Sequence, residues 1–552
     1  MSDSRHPGRR TSLFSGLALA AITVIVAACG SSTATPTAAP TAAPTTAGSA
    51  APSAAPVDTT PTGGTITERV AADISSWDPC VVQAATVPGT MGDILNAVYG
   101  ALVYKDYNGV VQPGMVQSLT TKDATTWTFK LRAGVKFTDG TDYDAAALKY
   151  NFDRAADPAN ACTSQKWIAT WKSVDVVDAS TLNVVLAGPD AAFDGKIAES
   201  AAFVASPTAL KAATDKPSIQ PVGAGPFTML NRNQGITTIL AKNKKYWDAP
   251  RPYVDQLQLP IIPESNAGQA QIVSGQLDIM FGYAYQYGAN ATKPGVATKV
   301  VPINGYNSAY FITNGGTTGL FNDVDARMAV AYGVDRNKWV NALTQVDSIK
   351  APDSIYPSTS PYYDATMLYP KFDAAKAQEL INKVIAKGKK FEFTILAPNS
   401  SDTLRSAQYL QQAMSTYTGV TATINTVAAA AYNTECLAKH GDICIQPGAT
   451  MWNGPEPNTY NLLSSKGSQP FSAYSSADMD AALDKTLTAV SDADKVTAYK
   501  AVEKIFFQDL PFIQYGNQTR TMLIRDDIGG FVWAGQGQLQ AQFLYVCKSK
   551  CN

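Results

Sequence analysis

The sequence predicts a mixed α/β protein that is divided into two or three lobes. Residues 126–131 (TWTFKL) alternate between polar and apolar side chains, which is typical of a half-buried β-strand. Residues 404–417 instead place their apolar side chains at helical spacing. About 490 residues follow the N-terminal region of low complexity, and a chain of that length normally needs more than one hydrophobic core.

Further strands and helices alternate along the chain from Gly64 onward. Asp139-Gly140 follows a short strand and indicates a tight turn, because glycine accepts a positive φ. Gly275 provides a helix stop, and Asp323 stands where a helix N-terminus favours a carboxylate. The remaining strands are predicted at residues 65–67, 181–186 and 391–396. The remaining helices are predicted at residues 92–99, 145–154, 266–275, 323–343, 374–386, 477–490 and 493–508.

The N-terminus has the pattern of an export signal. Arg9 and Arg10 precede an apolar run over residues 13–28, which is shorter than the ~20 residues needed to span a membrane. The run ends in Val-Ala-Ala before Cys29, which resembles the lipobox of bacterial lipoproteins. The resemblance implies a signal peptide at residues 1–28 and a lipid on Cys29. An ordinary secretory signal followed by a chance cysteine is the alternative.

Residues 29–63 are expected to form a disordered tether. They consist almost entirely of Ser, Thr, Ala, Pro and Gly, with Asp58 as a single charge. Such a segment cannot bury enough apolar surface to offset the entropy of ordering. The tether would hold the folded part of the chain away from a membrane surface.

The cysteines suggest disulfides in an oxidising compartment. Of the seven cysteines, six remain after Cys29, and an even number in an exported protein favours pairing. Their spacing suggests three pairs: Cys80 with Cys162, Cys436 with Cys444, and Cys547 with Cys551. A zinc cluster is a weaker alternative, because the sequence has no C-x-x-C motif. Sequence alone also allows other pairings of the six.

The sequence lacks the usual signs of catalysis, of a metal site and of nucleic-acid binding. His440 is the one histidine after the signal peptide, so a Ser-His-Asp triad would depend on it. It lies between Cys436 and Cys444, where a solvated loop histidine is the simpler interpretation. There is no G-x-S-x-G elbow, no P-loop and no dinucleotide fingerprint. The net charge of −1 gives no basic surface for nucleic acid.

Four blocks of sequence resemble one family. They are residues 127–154 (WTFKLRAGVKFTDGTDYDAAALKYNFDR), residues 223–255 with GAGPF and NKKYWDAPRPYVD, residues 272–279 (IVSGQLDI) and residues 321–339 (FNDVDARMAVAYGVDRNKW). In order and spacing they resemble the extracellular solute-binding proteins of the oligopeptide, dipeptide and nickel class, which is family 5. These proteins serve ATP-driven ABC importers.

The resemblance implies a bilobal periplasmic-binding-protein-like α/β fold, in its large three-part type II variant, with a hinge and an interlobe cleft. Lobe I would combine residues 64–96, 202–312 and 518–552. An inserted subdomain would cover residues 97–201, and lobe II would cover residues 313–517. The chain would cross between the lobes near Asn314 and near Asn517.

The resemblance also implies the residues that line the cleft. In the peptide-binding members an aspartate in a Trp-rich segment holds the α-amino group of the peptide. The matching segment here, TMWNGPEPNTYNLL at residues 450–463, places Asn453 or Pro455 at that position. Glu456 is the nearest carboxylate. The predicted ligand-binding residues are Trp77, Tyr310, Asn314, Trp452, Asn453 and Tyr515.

The expected function is the capture of a small organic solute, a peptide or a peptide-like molecule, outside the membrane. The ligand would be delivered to an ABC permease by a lipid-anchored monomer that uses no cofactor. Other ligands remain open at this point: an oligosaccharide or glycoside, an opine-like compound, or a nickel chelate. Two other functions also remain open, namely a lipid-anchored hydrolase and a ligand sensor without transport.

Overall fold

The structure is a computed structural model. It describes residues 60–74, 76–81, 91–106, 109–213, 219–283, 296–344, 349–446, 458–467, 471–534 and 538–551. The predicted signal peptide, Cys29 and nearly all of the predicted tether therefore lie outside the described residues, as do Trp452, Asn453 and Glu456.

Twenty strands are assigned in the described part of the chain. In chain order they are β1 Thr65–Thr67, β2 Val103–Lys105, β3 Val111–Pro113, β4 Val116–Thr121, β5 Thr126–Leu131, β6 Trp171–Asp178, β7 Thr181–Leu186, β8 Phe227–Asn233, β9 Thr237–Lys242, β10 Gln256–Pro260, β11 Ile279–Tyr283, β12 Val296–Phe311, β13 Phe391–Pro398, β14 Val420–Val427, β15 Ile443–Gln446, β16 Phe512–Arg525, β17 Ile528–Gly529, β18 Trp533–Ala534, β19 Gln538–Leu539 and β20 Tyr545–Val546.

The helices alternate with these strands. The α-helices are α1 Met91–Tyr99, α2 Ala145–Ala156, α3 Gln165–Ile168, α4 Phe193–Ser200, α5 Pro207–Ala212, α6 Ser265–Ser274, α7 Val324–Gly333, α8 Arg336–Thr344, α9 Ala374–Ala386, α10 Ser401–Met414, α11 Ala429–Leu437, α12 Asn458–Leu463, α13 Ala477–Thr486 and α14 Asp492–Asp509. Short 3₁₀ helices lie at Pro158–Asn160, Leu320–Asn322 and Ala541–Phe543. The predicted mixed α/β class is therefore confirmed.

Three sheets of four or more strands organise the chain. One has the order β1-β10-β9-β8, and another has the antiparallel order β4-β5-β7-β6. The largest has the order β11-β16-β12-β15-β13-β14 and is mixed, with β13 parallel to both β14 and β15. The alternation predicted for TWTFKL appears in β5, where Trp127, Phe129 and Leu131 are buried on one face.

Three large clusters of buried apolar side chains accompany these sheets. The first, which we call the large core, is built from residues between Ala309 and Tyr515. The second, the terminal core, combines residues 66–99, 202–281 and 522–544. The third, the insertion core, lies within residues 102–224 and includes the buried face of β5. Burial of large aromatic side chains supplies much of the stabilisation in each, because apolar burial contributes about 25 cal/mol per Å².

Local sequence signals explain where several helices begin and end. Asp323 Oδ1 accepts a hydrogen bond from Asp325 N at 3.0 Å and caps α7, as predicted. Gly275 ends α6 with a φ of +81°, a conformation that glycine adopts without a Cβ penalty.

The continuous helix predicted over residues 323–343 is wrong. The structure has two helices, α7 and α8, separated at Val334-Asp335. Val334 is extended, with φ −118° and ψ 122°. Asp335 then accepts hydrogen bonds from Asn337 N and Lys338 N at 3.0 and 3.1 Å, so its side chain starts a new helix.

The three disulfides of the structure are the three pairs suggested by spacing. Cys80 is bonded to Cys162, Cys436 to Cys444, and Cys547 to Cys551. The first closes a sequence separation of 82 residues, whereas the others close 8 and 4. Among the helices that the structure describes, none is both long enough and apolar enough to cross a membrane.

Candidate ligand-binding site

Two long antiparallel strands, β12 and β16, connect the large core with the terminal core. At one end of this ribbon, Tyr310 pairs with Phe512, and both side chains lie in the large core. Toward the other end, Met522 and Ile524 belong to the terminal core. The ribbon is therefore shared by two separate hydrophobic clusters.

The pairing of β12 with β16 is irregular between the two cores. The register shifts between Pro302 and Gly305, and again between Asn307 and Ser308. Such bulges interrupt the ladder of hydrogen bonds and allow a strand pair to bend. The irregular region of the ribbon thus lies where the chain passes from one core to the other.

Three polar side chains share one face of the sheet at the second shift. Ser308 of β12 lies opposite Gln446 of β15 on one side and opposite Gln514 of β16 on the other. Directly opposed residues in antiparallel strands point to the same face. We call Ser308, Gln446 and Gln514 the polar cluster.

Each member of the polar cluster has a buried oxygen without a hydrogen-bond partner among the described residues. These atoms are Ser308 Oγ, Gln446 Oε1 and Gln514 Oε1. Ser308 and Gln514 are each only 1% exposed. A buried acceptor left without a donor costs about 1–3 kcal/mol, so native structures contain few of them. Three such acceptors side by side indicate a place where a polar ligand or ordered water completes the hydrogen bonding.

Two of the predicted ligand-binding residues lie in the large core. The ring of Tyr310 is 1% exposed and lies 4.8 Å from that of Phe512. The ring of Tyr515 is likewise 1% exposed and stacks on Trp339 at 4.1 Å with an interplanar angle of 7°. Burial raises the pKa of both phenols above the usual value, so both remain neutral. In the described conformation their rings pack against protein side chains.

Trp77 and Asn314 lie elsewhere. Trp77 is 7% exposed and belongs to the terminal core, and its backbone carbonyl accepts a hydrogen bond from the hydroxyl of Tyr99 at 2.5 Å. Asn314 is exposed, and its carbonyl accepts a hydrogen bond from Lys439 Nζ at 2.6 Å. The structure therefore brings Tyr310 and Tyr515 into one core and places neither Trp77 nor Asn314 in it.

Sequence reasoning did not identify Gln446 as a candidate. It ends β15, immediately before residues 447–457, which contain Trp452 and Asn453. Ser308 and Gln514 stand two positions and one position before the predicted residues Tyr310 and Tyr515, but they were not predicted themselves. The signal that unites the three is the strand register, which pairs residues more than 130 positions apart and cannot be read from local sequence.

A cavity of about 400 Å³ lies between the large core and the segment that forms the insertion core, residues 102–224, which we call the inserted region. Its walls include Lys105 and Asp194 on one side and Tyr362, Lys495 and Tyr499 on the other. Burial raises the pKa of Asp194, while the positive charge of Lys495 opposes the shift. Beside the cavity, Ala191 N donates a hydrogen bond to Leu487 O at 2.8 Å, so the two regions also touch through their backbones.

His440 is placed unfavourably for catalysis. Its side chain is 61% exposed, and its Nδ1 lies 2.6 Å from Glu435 Oε2. It occupies the loop that the Cys436–Cys444 disulfide closes. No serine or cysteine among the described residues is hydrogen-bonded to the imidazole, so the hydrolase hypothesis lacks its nucleophile–base pair. In the described part of the chain, no group of three or more His, Cys, Asp or Glu residues is arranged to hold a metal ion.

Comparison with solved structures supports the fold. HbpA2 from Haemophilus parasuis superposes with a TM-score of 0.76 at 21% identity, covering 88% of this chain and 100% of the other. AgaA from A. tumefaciens R10, solved in complex with agropinic acid, gives a TM-score of 0.70 at 21% identity, covering 88% of this chain and 99% of the other. The predicted bilobal periplasmic-binding-protein fold is thereby confirmed.

Comparison of sequences identifies the family. The glutathione-binding protein GsiB of Escherichia coli O6:K15:H31 (strain 536 / UPEC) is 26% identical over 442 residues, which are 76% of this chain and 83% of GsiB. The family and GsiB are both named for binding, in agreement with the prediction that the chain is not an enzyme. Residues 110–470 match the family described as bacterial extracellular solute-binding proteins, family 5 Middle. The chain belongs to this family of extracellular solute-binding proteins.

Proposed function

We propose that this protein captures a small peptide or peptide-like solute between its lobes and delivers it to an ABC permease. The observation that carries the proposal is the polar cluster. Two of its members, Ser308 and Gln514, lie on the ribbon that joins two hydrophobic cores, and the third, Gln446, lies on the neighbouring strand β15. The three buried oxygens lack partners among the described residues. Membership of the solute-binding family supports the same assignment.

The chemistry of the polar cluster favours an uncharged donor as its partner. Ser308 Oγ, Gln446 Oε1 and Gln514 Oε1 can all accept hydrogen bonds, and none carries a charge. The N–H groups of a peptide backbone are suitable donors. The similarity to a glutathione-binding protein also supports a peptide-like ligand.

Recognition of the ligand then does not depend on a free amino terminus. The sequence places Asn453 or Pro455 where the peptide-binding members have an aspartate. An amide accepts a hydrogen bond from an ammonium group with roughly half the strength of a carboxylate. We therefore expect backbone amides of the ligand, rather than its terminal charge, to contribute most of the affinity. Trp452 would provide an apolar stacking face, and Tyr310 and Tyr515, whose rings pack in the large core, would hold β12 and β16 in place beside the ligand.

Binding is proposed to close the lobes about the irregular part of the β12–β16 ribbon. A strand pair with two register shifts can bend there without disturbing either core. Closure would bring the walls of the cleft onto the ligand and exclude water. The export signal and Cys29 would anchor the protein by a lipid on the outer side of the cell membrane, where it meets the permease.

The test begins with the ligand that accompanies the purified protein. Mass spectrometry of the small molecules released by denaturation should identify a peptide or peptide-like compound. Calorimetry should then show saturable binding of that compound to the unloaded protein, with glutathione and its N-acetylated form as defined comparisons. We expect acetylation of the amino terminus to change the affinity by less than about tenfold, which is ~1.4 kcal/mol.

Three results would contradict the proposal. A released sugar or metal chelate would overturn the ligand class while leaving the binding role intact. A large loss of affinity on acetylation would restore the terminal ammonium as the main contact and make Glu456 the leading partner. If the purified chain hydrolyses the added peptide and no peptide remains bound afterwards, the binding role itself is overturned.

A further inference from the structure

A second cavity lies outside the β12–β16 ribbon, at the junction of the terminal core with the inserted region. Its volume is about 320 Å³, near the lower end of the range for small-molecule sites in proteins. The residues that line it come from segments 96–132, 226–251 and 540–543, and none belongs to the large core. The cavity is therefore separate from the polar cluster.

Arg132 is held rigidly in the wall of this cavity. Its guanidinium carbon lies 4.1 Å from the centre of the Trp247 ring, which is a cation–π contact. Its Nε donates a hydrogen bond to Gly114 O at 3.1 Å. Gly114 is needed for this arrangement, because a Cβ at that position would lie 2.1 Å from Ala101 O.

Among the residues that the structure describes, none neutralises the positive charge of Arg132. No described carboxylate forms an ion pair with it, and no described group accepts a hydrogen bond from either of its terminal nitrogens. The other guanidinium in the wall, that of Arg251, is paired with Asp248 at 3.0 Å. The cavity wall therefore carries one uncompensated positive charge, on a side chain whose orientation is already fixed.

The rest of the wall suits a flat organic group. Tyr104, Tyr246, Trp247 and Phe543 all line the cavity and are partly buried. Burial raises the pKa of Tyr246, so its hydroxyl stays neutral and can donate a hydrogen bond. Gln540 and Gln542 add amide groups.

From these contacts we propose that this cavity is a second binding site, which takes a small organic carboxylate with one or two flat rings. The carboxylate would receive the terminal N–H groups of Arg132, since a planar guanidinium matches a carboxylate in two parallel hydrogen bonds. The ring of the ligand would pack among the aromatic side chains. This site is independent of the solute bound between the lobes.

The experiment compares acids with neutral molecules of the same shape. Benzoate and indole-3-acetate are titrated into the unloaded, full-length chain by calorimetry, beside benzamide and indole-3-acetamide. We expect saturable binding of at least one carboxylate, with the corresponding amide at least about tenfold weaker. Arg132→Met should weaken carboxylate binding by at least about tenfold. The matched control is Lys211→Met, which removes a cation lying 4.8 Å over the Tyr150 ring at a position that does not line the cavity.

A second measurement does not depend on the folding of a variant. Phenylglyoxal modifies accessible arginines, and peptide mapping by mass spectrometry reports the modified positions. Benzoate or indole-3-acetate should protect Arg132, whereas the amides should not.

The inference is overturned if neither carboxylate binds at millimolar concentration, if Arg132→Met binds as tightly as the unchanged chain, or if Arg132 is not protected. Competition between the carboxylate and the interlobe ligand would also overturn it, because the two sites would then be one. If the unchanged chain binds no solute between its lobes, that result contradicts the proposed function and leaves the second site unaffected.

Discussion

At the scale of single residues, a buried carboxylate makes the stability of the molecule depend on pH. Glu503 of α14 is fully buried, and Ser354 donates a hydrogen bond to its Oε1, while Oε2 has no partner among the described residues. Burial raises the pKa of Glu503 from 4.5 to about 7, the nearby Asp364 adds to this shift, and Lys500 opposes it. The folded protein therefore holds a proton at pH values where the unfolded chain has already lost it.

Stability should fall as the pH rises through this window, since the folded state binds more protons than the unfolded state between the two pKa values. We expect the free energy of unfolding to decrease by about 1–3 kcal/mol between pH 5 and pH 8 relative to Glu503→Gln, whose side chain does not titrate. Urea denaturation of both proteins across that pH range measures the difference. Glu379→Gln, at an exposed position, is the control. Parallel pH profiles for the unchanged chain and Glu503→Gln would contradict the prediction.

The polar cluster provides a second prediction at this scale. Gln446→Met and Gln514→Met remove buried acceptors that lack partners among the described residues. Each should raise the stability of the ligand-free protein by about 1 kcal/mol, because an unsatisfied buried acceptor is lost, and should weaken ligand binding by roughly tenfold. Thermal unfolding and calorimetry measure the two effects on the same samples. Gln378→Met in the surface helix α9, where the side chain bonds to Thr418 O, is the matched control. A purely structural role would lower stability and affinity together.

At the scale of helices and strands, local sequence signals predicted much of the fold and little of the site. The alternation in residues 126–131 and the cap at Asp323 depend on neighbours a few positions apart, and both appear in the structure. The break between α7 and α8 was missed because apolar spacing continues across Asp335, whose capping bonds compete locally with a continuous helix. The polar cluster depends on long-range strand register, and the burial of Tyr515 depends on stacking against Trp339. Neither leaves a local pattern in the sequence.

The Cys80–Cys162 disulfide should stabilise the inserted region more than the other two disulfides stabilise their loops. It closes 82 residues, whereas Cys547–Cys551 closes 4. Loop-closure entropy gives about 4–5 kcal/mol for the first and about 2 kcal/mol for the second. The double variant Cys80→Ala/Cys162→Ala should therefore lower the melting temperature more than Cys547→Ala/Cys551→Ala. Equal melting temperatures of the two variants under non-reducing conditions would contradict the loop-length argument.

At the scale of the whole molecule, the first prediction concerns the anchor. Cys29 ends the apolar run of the predicted export signal and precedes the Pro-, Ala- and Thr-rich segment. A lipid on this cysteine would keep the protein with the membrane after export. Cys29→Ser should shift the protein from the membrane fraction to the soluble extracytoplasmic fraction, or leave the signal peptide uncleaved. Ser32→Ala, three positions later, is the control. Unchanged membrane attachment with normal processing of Cys29→Ser would rule out the lipid.

The second prediction at this scale concerns closure of the lobes. A ligand shifts a conformational equilibrium only if it binds one state more tightly than the other. The polar cluster offers such a difference, because a ligand enclosed between the lobes can bond at the same time to the cluster, beside the shared ribbon, and to the opposite wall. The register shifts beside the cluster allow the ribbon to bend while both cores stay intact. The radius of gyration in solution scattering should therefore decrease when the ligand identified by mass spectrometry is added to saturation.

Hydrogen exchange would show where the proposed closure occurs. The backbone bond from Ala191 N to Leu487 O joins the inserted region to the large core, so peptides containing residues 190–195 should become more protected when the ligand holds these regions together. Peptides from β5 and β7, which pair within the inserted region, should exchange at the same rate with and without ligand. If both the radius of gyration and the exchange near Ala191 were unchanged at saturation, the ligand would be bound by a rigid cleft. The two bulges of β12 and β16 would then be fixed features of the sheet, since a hinge in the ribbon must change the separation of the cores that the ribbon joins.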